Sequence, residues 1–323
     1  MSGNGSKSDV LLDIDAVISP IMLSFGILCN TIWIILLARH LFRHSVNSKT
    51  PMVMALSLAI CDGCWVIFAG IGWFILHTSK TSSNELGGYT YFIFVETFFE
   101  RLSHLLVVAA GIERFLAIQT PFFYEKYNSN TCLIKLFLVC SIYSLLFASI
   151  RLMSDIDHYT SVNKPIYRPN FSNGASDVRI LYDGWTLCEL ATMLIILTVC
   201  NITVIRCLRI LRERLVSSCP RNLQGYLKQK DMVKGIHASF SYLLVVITIV
   251  LAVTSIPYQV RIICNRASVW PSETANYIAS TILRSTPTIN PLVYIFYQKS
   301  VRNRIKPRLP CFQKVHPMDE LTV

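Results

Sequence analysis

The sequence predicts an all-α membrane protein, a seven-transmembrane-helix bundle with a short amphipathic helix after the seventh span. Composition is the first observation behind this prediction. Apolar residues make up 53% of the 323 residues and charged residues only 15%, whereas soluble domains hold about 25% charged residues. The second is a mean hydropathy of +0.48. The third is that the apolar residues form seven runs, each long enough for the roughly 20 helical residues that cross a bilayer core.

The seven apolar runs are separated by polar stretches, which are short except at 154–178 and 209–234. The predicted spans are 16–39, 51–77, 89–118, 132–153, 179–208, 235–264 and 274–297. The chain is therefore expected to have three parts: an extracellular tail (1–15), a transmembrane domain (16–297) and a cytoplasmic segment (298–323).

Lysine and arginine are distributed unevenly between the two sides of the predicted bundle. With the N-terminus outside, the cytoplasmic segments hold 18 of these residues and the external segments six. Cytoplasmic loops are enriched in both residue types, so the sequence predicts an extracellular N-terminus and a multi-pass plasma-membrane protein. The net charge of +11 is then explained without nucleic acid. Asn4 and Asn170 lie in Asn-x-Ser sequons on the predicted outer side and are predicted glycosylation sites.

Polar residues inside the spans are the most informative ones, because such residues are costly in lipid and usually face the bundle interior. They include Asp62 in the second span, Ser103 in the third, Pro257 in the sixth, and Glu113-Arg114-Phe115 and Asn290-Pro291-Leu292-Val293-Tyr294 at the ends of the third and seventh. In this order and at these depths they resemble the rhodopsin-like G-protein-coupled receptors, over about residues 16–312. Arg114 and Glu113 match the family's Asp/Glu-Arg-Tyr motif, with Phe115 in place of tyrosine. Asn290, Pro291 and Tyr294 match its Asn-Pro-x-x-Tyr motif.

This resemblance implies a receptor that couples to heterotrimeric G proteins and is not an enzyme. Glu113 is expected to hold Arg114 in one rotamer through a local ion pair. The prolines Pro257 and Pro291 each remove a backbone hydrogen bond and allow a bend.

A further expectation is a polar pocket that holds a sodium ion and water, formed by Asp62, Ser103 and Asn290. Apart from this ion, no cofactor is expected. The alternative is that the three residues only join neighbouring helices.

The segment after the seventh span, QKSVRNRIKPRLPC, is basic and amphipathic. Its lysines and arginines are expected to face anionic headgroups while its apolar residues enter the interface. Cys311 lies near its end and is a candidate palmitoylation site.

Several segments are similar to the prostanoid receptors, in particular the prostaglandin E type. They are TSIPYQVRIICN in the sixth span, LTVCNITVIRCLRILRER in the fifth, IERFLAIQTPFFYEKY after the third, and Asp183-Gly184-Trp185 in the long external loop. This resemblance implies an acidic lipid ligand with Trp185 near it.

Two features depart from the prostanoid pattern. The position of the arginine that binds the lipid carboxylate in that family is Thr281 here, and Arg284 lies one turn deeper on roughly the same face. The usual disulfide to the third helix is also missing, because its position is Tyr89 and residues 152–187 contain no cysteine.

The charges within the spans leave three interpretations open. Arg284 accepts a ligand carboxylate, assisted by Arg261 near the pocket mouth. Alternatively, Glu96 accepts the amine of an amine or small peptide ligand. In the third interpretation, Arg284 pairs with Glu96 or Glu100 and neither meets a ligand, since an isolated charge at that depth costs at least about 2.5 kcal/mol.

Two other classes of membrane protein are disfavoured. A transporter more often shows internal repeats or broken helices, and neither is evident. An intramembrane enzyme needs a catalytic set, whereas the seven histidines are scattered. His104 is the only deep one and is interpreted as a packing residue with its hydrogen bonds satisfied.

Overall fold

The computed structural model describes residues 5–43, 50–78, 86–127, 130–162, 177–217, 224–266 and 273–297, and these ranges are almost entirely helical. The helices found there are α1 (Gly5–Arg43), α2 (Thr50–Thr78), α3 (Leu86–Gln119), α4 (Pro121–Tyr127), α5 (Asn130–Val162), α6 (Asp177–Ser217), α7 (Gln224–Arg266), α8 (Glu273–Arg284) and α9 (Thr286–Tyr297). The all-α prediction is confirmed, with α4 as a short extra helix and the seventh span divided into α8 and α9.

The long helices form one bundle around α3. This helix packs against α2, α5, α6 and α7, while α1 closes the other side by packing on α2 and α9. Residues on α3 therefore reach most of the other helices, and the charged side chains of α3 can find partners on several of them.

Five helices in the described part of the chain are long and apolar enough to cross a membrane. These segments are Val17–Arg39, Met52–Phe74, Thr131–Ser154, Ile180–Ile210 and Tyr242–Cys264. The third span, which carries several charged residues, is not in this set. The seventh is absent because a turn at Ser285 divides it into helices of 12 residues each.

Several helices continue beyond the predicted spans and into polar sequence. The predicted tail 1–15 is helical from Gly5 onwards, where the sequence contains no further glycine or proline before Pro20. Likewise, α6 runs on to Ser217 and α7 begins at Gln224, so most of the predicted loop 209–234 is helical. Four predicted features lie outside the described residues: the amphipathic helix after residue 297, the palmitoylation site Cys311, and the glycosylation sites Asn4 and Asn170.

The distribution of side chains is inverted relative to a soluble protein. Large apolar side chains are exposed on the outer faces, among them Ile21, Phe74, Ile134, Val139, Ile195 and Ile249. Polar residues such as Asp62, Arg114 and Asn290 are buried. This pattern is expected where hydrocarbon surrounds the bundle and polar groups must find partners inside it.

Two glycines allow helices to approach closely. A Cβ atom on Gly111 of α3 would lie 2.8 Å from Leu197 Cδ2 of α6. A Cβ atom on Gly26 of α1 would lie 2.5 Å from Thr288 Oγ1 of α9. Small residues at such crossings are typical of membrane helix packing, and the Gly26 contact positions α1 against the Asn-Pro-x-x-Tyr segment.

Candidate ligand and activation sites

Asp62 lies at the centre of the predicted polar pocket and is fully buried. Ser103 Oγ donates a hydrogen bond to its Oδ1 atom (2.5 Å), and Asn290 Nδ2 donates to its Oδ2 atom (2.9 Å). The structure thus brings together the three residues from α2, α3 and α9. Asn290 Oδ1 has no hydrogen-bond partner among the described residues. A carboxylate, a hydroxyl and a spare amide oxygen are the kind of oxygen donors that hard cations prefer.

Asn30 of α1 supplies a hydrogen bond that the helix α9 cannot make for itself. Pro291 has no N–H group, so the carbonyl of Pro287 four residues earlier loses its usual helical donor. Asn30 Nδ2 donates to that carbonyl oxygen at 2.9 Å and to the carbonyl of Gly26 at 3.0 Å. The proline bend is therefore held by a side chain from a neighbouring helix.

The predicted ion pair at the cytoplasmic end of α3 is present. Arg114 donates from Nε to Glu113 Oε2 (2.5 Å) and from Nη2 to Glu113 Oε1 (2.7 Å). Both side chains are buried. The hydroxyl of Tyr124, in α4, also donates to Glu113 Oε1. Glu113 therefore joins Arg114 to the short helix α4, a role for Tyr124 that the sequence analysis missed because no spacing rule predicted α4.

A side-chain contact links α7 to α9, close to Pro257 in α7 and to the turn at Ser285 between α8 and α9. Pro257 lies inside α7, and Thr254 lies one turn before it. Thr286 Oγ1 contacts Thr254 Oγ1 at 2.7 Å and the carbonyl oxygen of Leu283 at 2.7 Å. Because Pro287 cannot donate to that carbonyl, the threonine replaces the missing backbone bond. This threonine contact joins α7 to α9 one turn before Pro257.

Arg284 pairs with Glu96, as the third interpretation predicts, but loosely. Arg284 Nε lies 3.7 Å from Glu96 Oε1, and 44% of the Arg284 side chain is exposed. Arg284 ends α8, directly before the turn at Ser285. This guanidinium therefore remains accessible beside a long contact to Glu96.

Arg261 lies one turn beyond Pro257, as predicted. Its Nη1 atom donates to Ser280 Oγ of α8 at 3.0 Å, and its guanidinium lies 4.3 Å above the Tyr258 ring. Its Nε atom has no partner among the described residues. Arg261 thus faces α8, the helix that also carries Arg284.

Glu100 lies beside the neighbouring arginine of its own helix. It lies 3.8 Å from Arg101. Arg101 is buried, makes its shorter ion pair with Glu189 of α6 at 3.1 Å, and lies 4.3 Å above the ring of Phe147. Glu189 had no predicted partner, although a lone acidic residue within an apolar span was itself a signal that a buried cation faced it.

The prediction that Trp185 lies in the long external loop is wrong, whereas its predicted position near the ligand stays a prediction. It lies within α6, because the helix begins at Asp177, and its side chain is 53% exposed on the outer surface of the bundle. Its Nε1 atom donates to the hydroxyl of Tyr143 on α5 at 2.9 Å. Trp185 therefore joins α5 and α6 on the membrane side.

His104 is buried as predicted, but the structure contradicts the expectation that its hydrogen bonds are satisfied. Neither ring nitrogen has a partner within the described ranges. Its ring meets that of Trp65 edge-on at 5.9 Å between centroids.

Nine cysteines lie in the ranges that the structure describes. All those in the described ranges are free, among them Cys188 and Cys264 near the predicted outer surface.

Comparisons with known proteins give the same family as the geometry. Residues 30–294 match the model of the 7 transmembrane receptor (rhodopsin family). The human prostaglandin E2 receptor EP2 subtype is 27% identical over 91% of this chain and 86% of its own length. The human prostacyclin receptor is 26% identical over 67% of this chain and 54% of its own length.

Among solved structures, squid rhodopsin has a similar fold. The TM-score is 0.68 at 14% identity, over 90% of this chain and 83% of that one. The polar pocket, the bent seventh span and the Glu113–Arg114 pair thus occur in a chain that belongs to the rhodopsin family of seven-transmembrane receptors.

Proposed function

We propose that this receptor binds a prostaglandin E-like acidic lipid and that Arg284 accepts the lipid carboxylate. The observation that carries this proposal is the contrast between two arginines. Arg101 is buried and paired with Glu189 at 3.1 Å, whereas Arg284 lies 3.7 Å from Glu96 and its side chain is 44% exposed. A ligand carboxylate can displace a loose contact at lower cost than a buried one. The names of the prostaglandin E2 and prostacyclin receptors support this ligand class.

The receptor lies in the plasma membrane with its N-terminus outside and signals through a heterotrimeric G protein, with cyclic AMP or calcium as second messenger. An agonist shifts the population towards a state in which α7 swings about Pro257. The G protein then binds in the cleft near Arg114 and Tyr294. The excess of lysine and arginine on the predicted cytoplasmic side supports this orientation.

Glu96 supports a second candidate, a receptor for an amine or a small peptide. Its side chain is 22% exposed, and it shares the loose pair with Arg284. A cationic ligand would replace Arg284 as the partner of Glu96.

The first experiment is a second-messenger assay on cells that express the chain, challenged with prostanoids and biogenic amines. Cyclic AMP and calcium are read together. A response to prostaglandin E at low dose supports the proposal. A response to amines alone transfers the binding role to Glu96, and silence to both at normal surface expression contradicts both candidates.

The Arg284→Gln variant then tests the carboxylate contact. We expect it to lose the response to the acid and to retain the response to its methyl ester at high dose, because the ester makes no ion pair. Lys135→Gln, which removes an exposed cation from α5, is the matched control. Equal loss of both responses in Arg284→Gln would show that Arg284 is structural.

We also propose that the pocket of Asp62, Ser103 and Asn290 binds a sodium ion that modulates the receptor. The buried carboxylate and the unpartnered Asn290 Oδ1 atom support it. A ligand that binds only the folded state raises the stability of that state, so the purified receptor should unfold at a higher temperature in sodium chloride than in potassium chloride of equal ionic strength. Asp62→Asn should abolish this difference, and equal midpoints for the parent receptor would contradict the proposal.

A further inference from the structure

Three side chains of α3 form a row that leads from the accessible Arg284 contact into the buried part of the bundle. Glu96, Glu100 and His104 are spaced four residues apart, so they follow one another along the same face of the helix. Glu96, at the outer end of the row, lies 3.7 Å from Arg284. His104, at the inner end, lies about 12 Å further along the helix axis. An extended molecule that lies along this row would therefore reach from Arg284 to His104.

The inner end of the row contains hydrogen-bonding groups that lack partners. His104 is only 3% exposed, and neither of its ring nitrogens has a partner in the ranges that the structure describes. Arg101, one turn earlier on α3, is 4% exposed, and its Nε atom is also without a partner among the described residues. Buried polar groups are paired in the great majority of cases. Two side chains at neighbouring positions of one helix thus each present a buried donor that lacks an acceptor.

The surrounding charges determine which acceptor fits. The Arg101 guanidinium already faces two carboxylates, that of Glu189 at 3.1 Å and that of Glu100 at 3.8 Å. An anion would add to their negative charge at membrane depth, where an unbalanced charge is costly. The oxygen of a ketone or hydroxyl group is neutral and has two lone pairs, so it can accept from both donors. The inner end of the row therefore fits a neutral oxygen.

We propose that His104 and Arg101 form an inner subsite for a neutral oxygen on the ligand's hydrocarbon chain, about 12 Å from the ligand carboxylate. The ring N–H group of His104 and the Nε group of Arg101 donate to this oxygen, while Arg284 binds the carboxylate. The preferred ligand is then an acidic lipid with a ketone or hydroxyl group at this distance. Because both donors are buried, the ligand reaches them only when the neighbouring helices separate. The inference rests on the proposed function, since Arg284 fixes the other end of the ligand.

Displacement of tritiated prostaglandin E2 from membranes that contain the full chain tests the subsite. The competitors are prostaglandin E2 and two deoxy analogues, one without the ring ketone and one without the ring hydroxyl group. We expect at least one analogue to bind about tenfold more weakly than the parent compound, the effect of one hydrogen bond from a charged donor. The analogue that loses affinity shows which of the two groups occupies the subsite.

A variant of His104 tests which residues bind the oxygen. His104→Phe removes both nitrogens and keeps an aromatic ring against Trp65, whose ring meets that of His104 edge-on at 5.9 Å. We expect the preference for the oxygenated compound to fall to about threefold or less, because only the Arg101 donor remains. Leu105→Phe is the matched control, since Leu105 follows His104 on α3 but faces α5 and α6, and it should keep the preference. An unchanged preference in His104→Phe would overturn the proposal.

The same assay separates this inference from the proposed function. Arg284→Gln should weaken the binding of all three compounds by one common factor and leave their ratio unchanged, because it removes only the carboxylate contact. Equal affinities of the three compounds for the parent receptor would contradict the subsite alone. Absence of specific binding by any of them would contradict the proposed ligand class, and the subsite with it.

The ligand-free receptor provides the last test. The His104 nitrogens have no partner in the described part of the chain, so His104→Phe should leave the thermal unfolding midpoint of the purified receptor unchanged or raise it. A lower midpoint would show that ordered water already binds these nitrogens, and the proposal would then be wrong.

Discussion

Trp33 of α1 stacks on Tyr294 of α9, with ring centroids 5.3 Å apart and ring planes 10° apart. Both side chains are buried in the central apolar cluster. Tyr294 belongs to the Asn-Pro-x-x-Tyr segment, which also carries the Asn290 contact to Asp62. The stack therefore packs the Asn-Pro-x-x-Tyr segment of α9 against α1, a helix that carries no predicted activation motif.

Loss of this stack should loosen Tyr294. We expect Trp33→Leu to raise signalling in the absence of agonist and to lower the thermal unfolding midpoint, because it removes an aromatic pair worth about 1 kcal/mol in addition to buried area. Trp65→Leu is the control, since Trp65 is equally buried but contacts His104 instead. If both variants raise basal signalling equally, the effect is general destabilisation.

The Glu113–Arg114 pair should hold the receptor inactive. Replacing Glu113 with glutamine removes the charge from both contacts, and charge-assisted hydrogen bonds contribute about 1.5–3 kcal/mol. We expect Glu113→Gln to raise basal second-messenger output by about tenfold. Arg114→Ala should reach the cell surface normally and lose signalling, as judged by surface labelling and agonist response in the same cells. Full signalling by Arg114→Ala would contradict the proposed role of Arg114 in activation.

Tyr124 should make a smaller contribution to the same pair. Tyr124→Phe removes only the third donor to Glu113, so we expect a smaller rise in basal output than for Glu113→Gln. Phe123→Leu, at an exposed neighbouring residue of α4, serves as the control.

Asn30 and Pro291 should be energetically coupled. Asn30→Ala leaves the Pro287 carbonyl without its donor, which should cost about 1–3 kcal/mol of stability. Pro291→Ala restores a backbone N–H that can donate to the same carbonyl. We therefore expect Asn30→Ala to lower the unfolding midpoint less in the Pro291→Ala background than in the parent chain. Strict additivity of the two effects would show that the side chain does not replace the missing backbone bond.

Arg101 and Glu189 should also be coupled, for a different reason. Removing one partner leaves the other charge buried, at a cost of about 3–5 kcal/mol, whereas replacing both with apolar residues is often close to neutral. We expect Arg101→Met and Glu189→Leu each to reduce surface expression and thermal stability, and the double variant to be more stable than Arg101→Met alone, in which Glu189 and Glu100 both lose the guanidinium. A double variant less stable than both single ones would argue against this pairing.

Replacing glycine with alanine is expected to have opposite effects on thermal stability at Gly26 and at Gly184. Gly26→Ala places a methyl group 2.5 Å from Thr288 Oγ1 and 3.1 Å from Val66, and overpacking of this kind typically costs about 1–3 kcal/mol. Gly184→Ala meets open space on a helix, where alanine is favoured over glycine by about 0.5–1 kcal/mol. Unfolding midpoints should therefore fall for the first variant and rise for the second.

The apolar runs and the polar residues within them were sufficient to predict the all-α bundle and the meeting of Asp62, Ser103 and Asn290. They were not sufficient to locate helix ends, because α1, α6 and α7 continue past the apolar runs into polar sequence. Nor did they identify the partner of Arg101. Glu189 is 88 residues away along the chain, and only the packing of α6 on α3 brings the two side chains together.

By itself the sequence determined the class of this protein. A charge costs several kcal/mol in hydrocarbon however the helices pack, so the apolar runs and the few polar residues within them identify the class before any packing is known. It also predicted the local pair of Glu113 and Arg114, which are adjacent in the chain and whose contact the structure shows. The tertiary structure decided which distant groups meet: Trp33 with Tyr294, Asn30 with the Pro287 carbonyl, Glu189 with Arg101, and Trp185 with Tyr143 on the outer face. The physical reason is that helix periodicity gives the direction of a side chain relative to its own axis, whereas its neighbours depend on how the helices are rotated and spaced in the bundle.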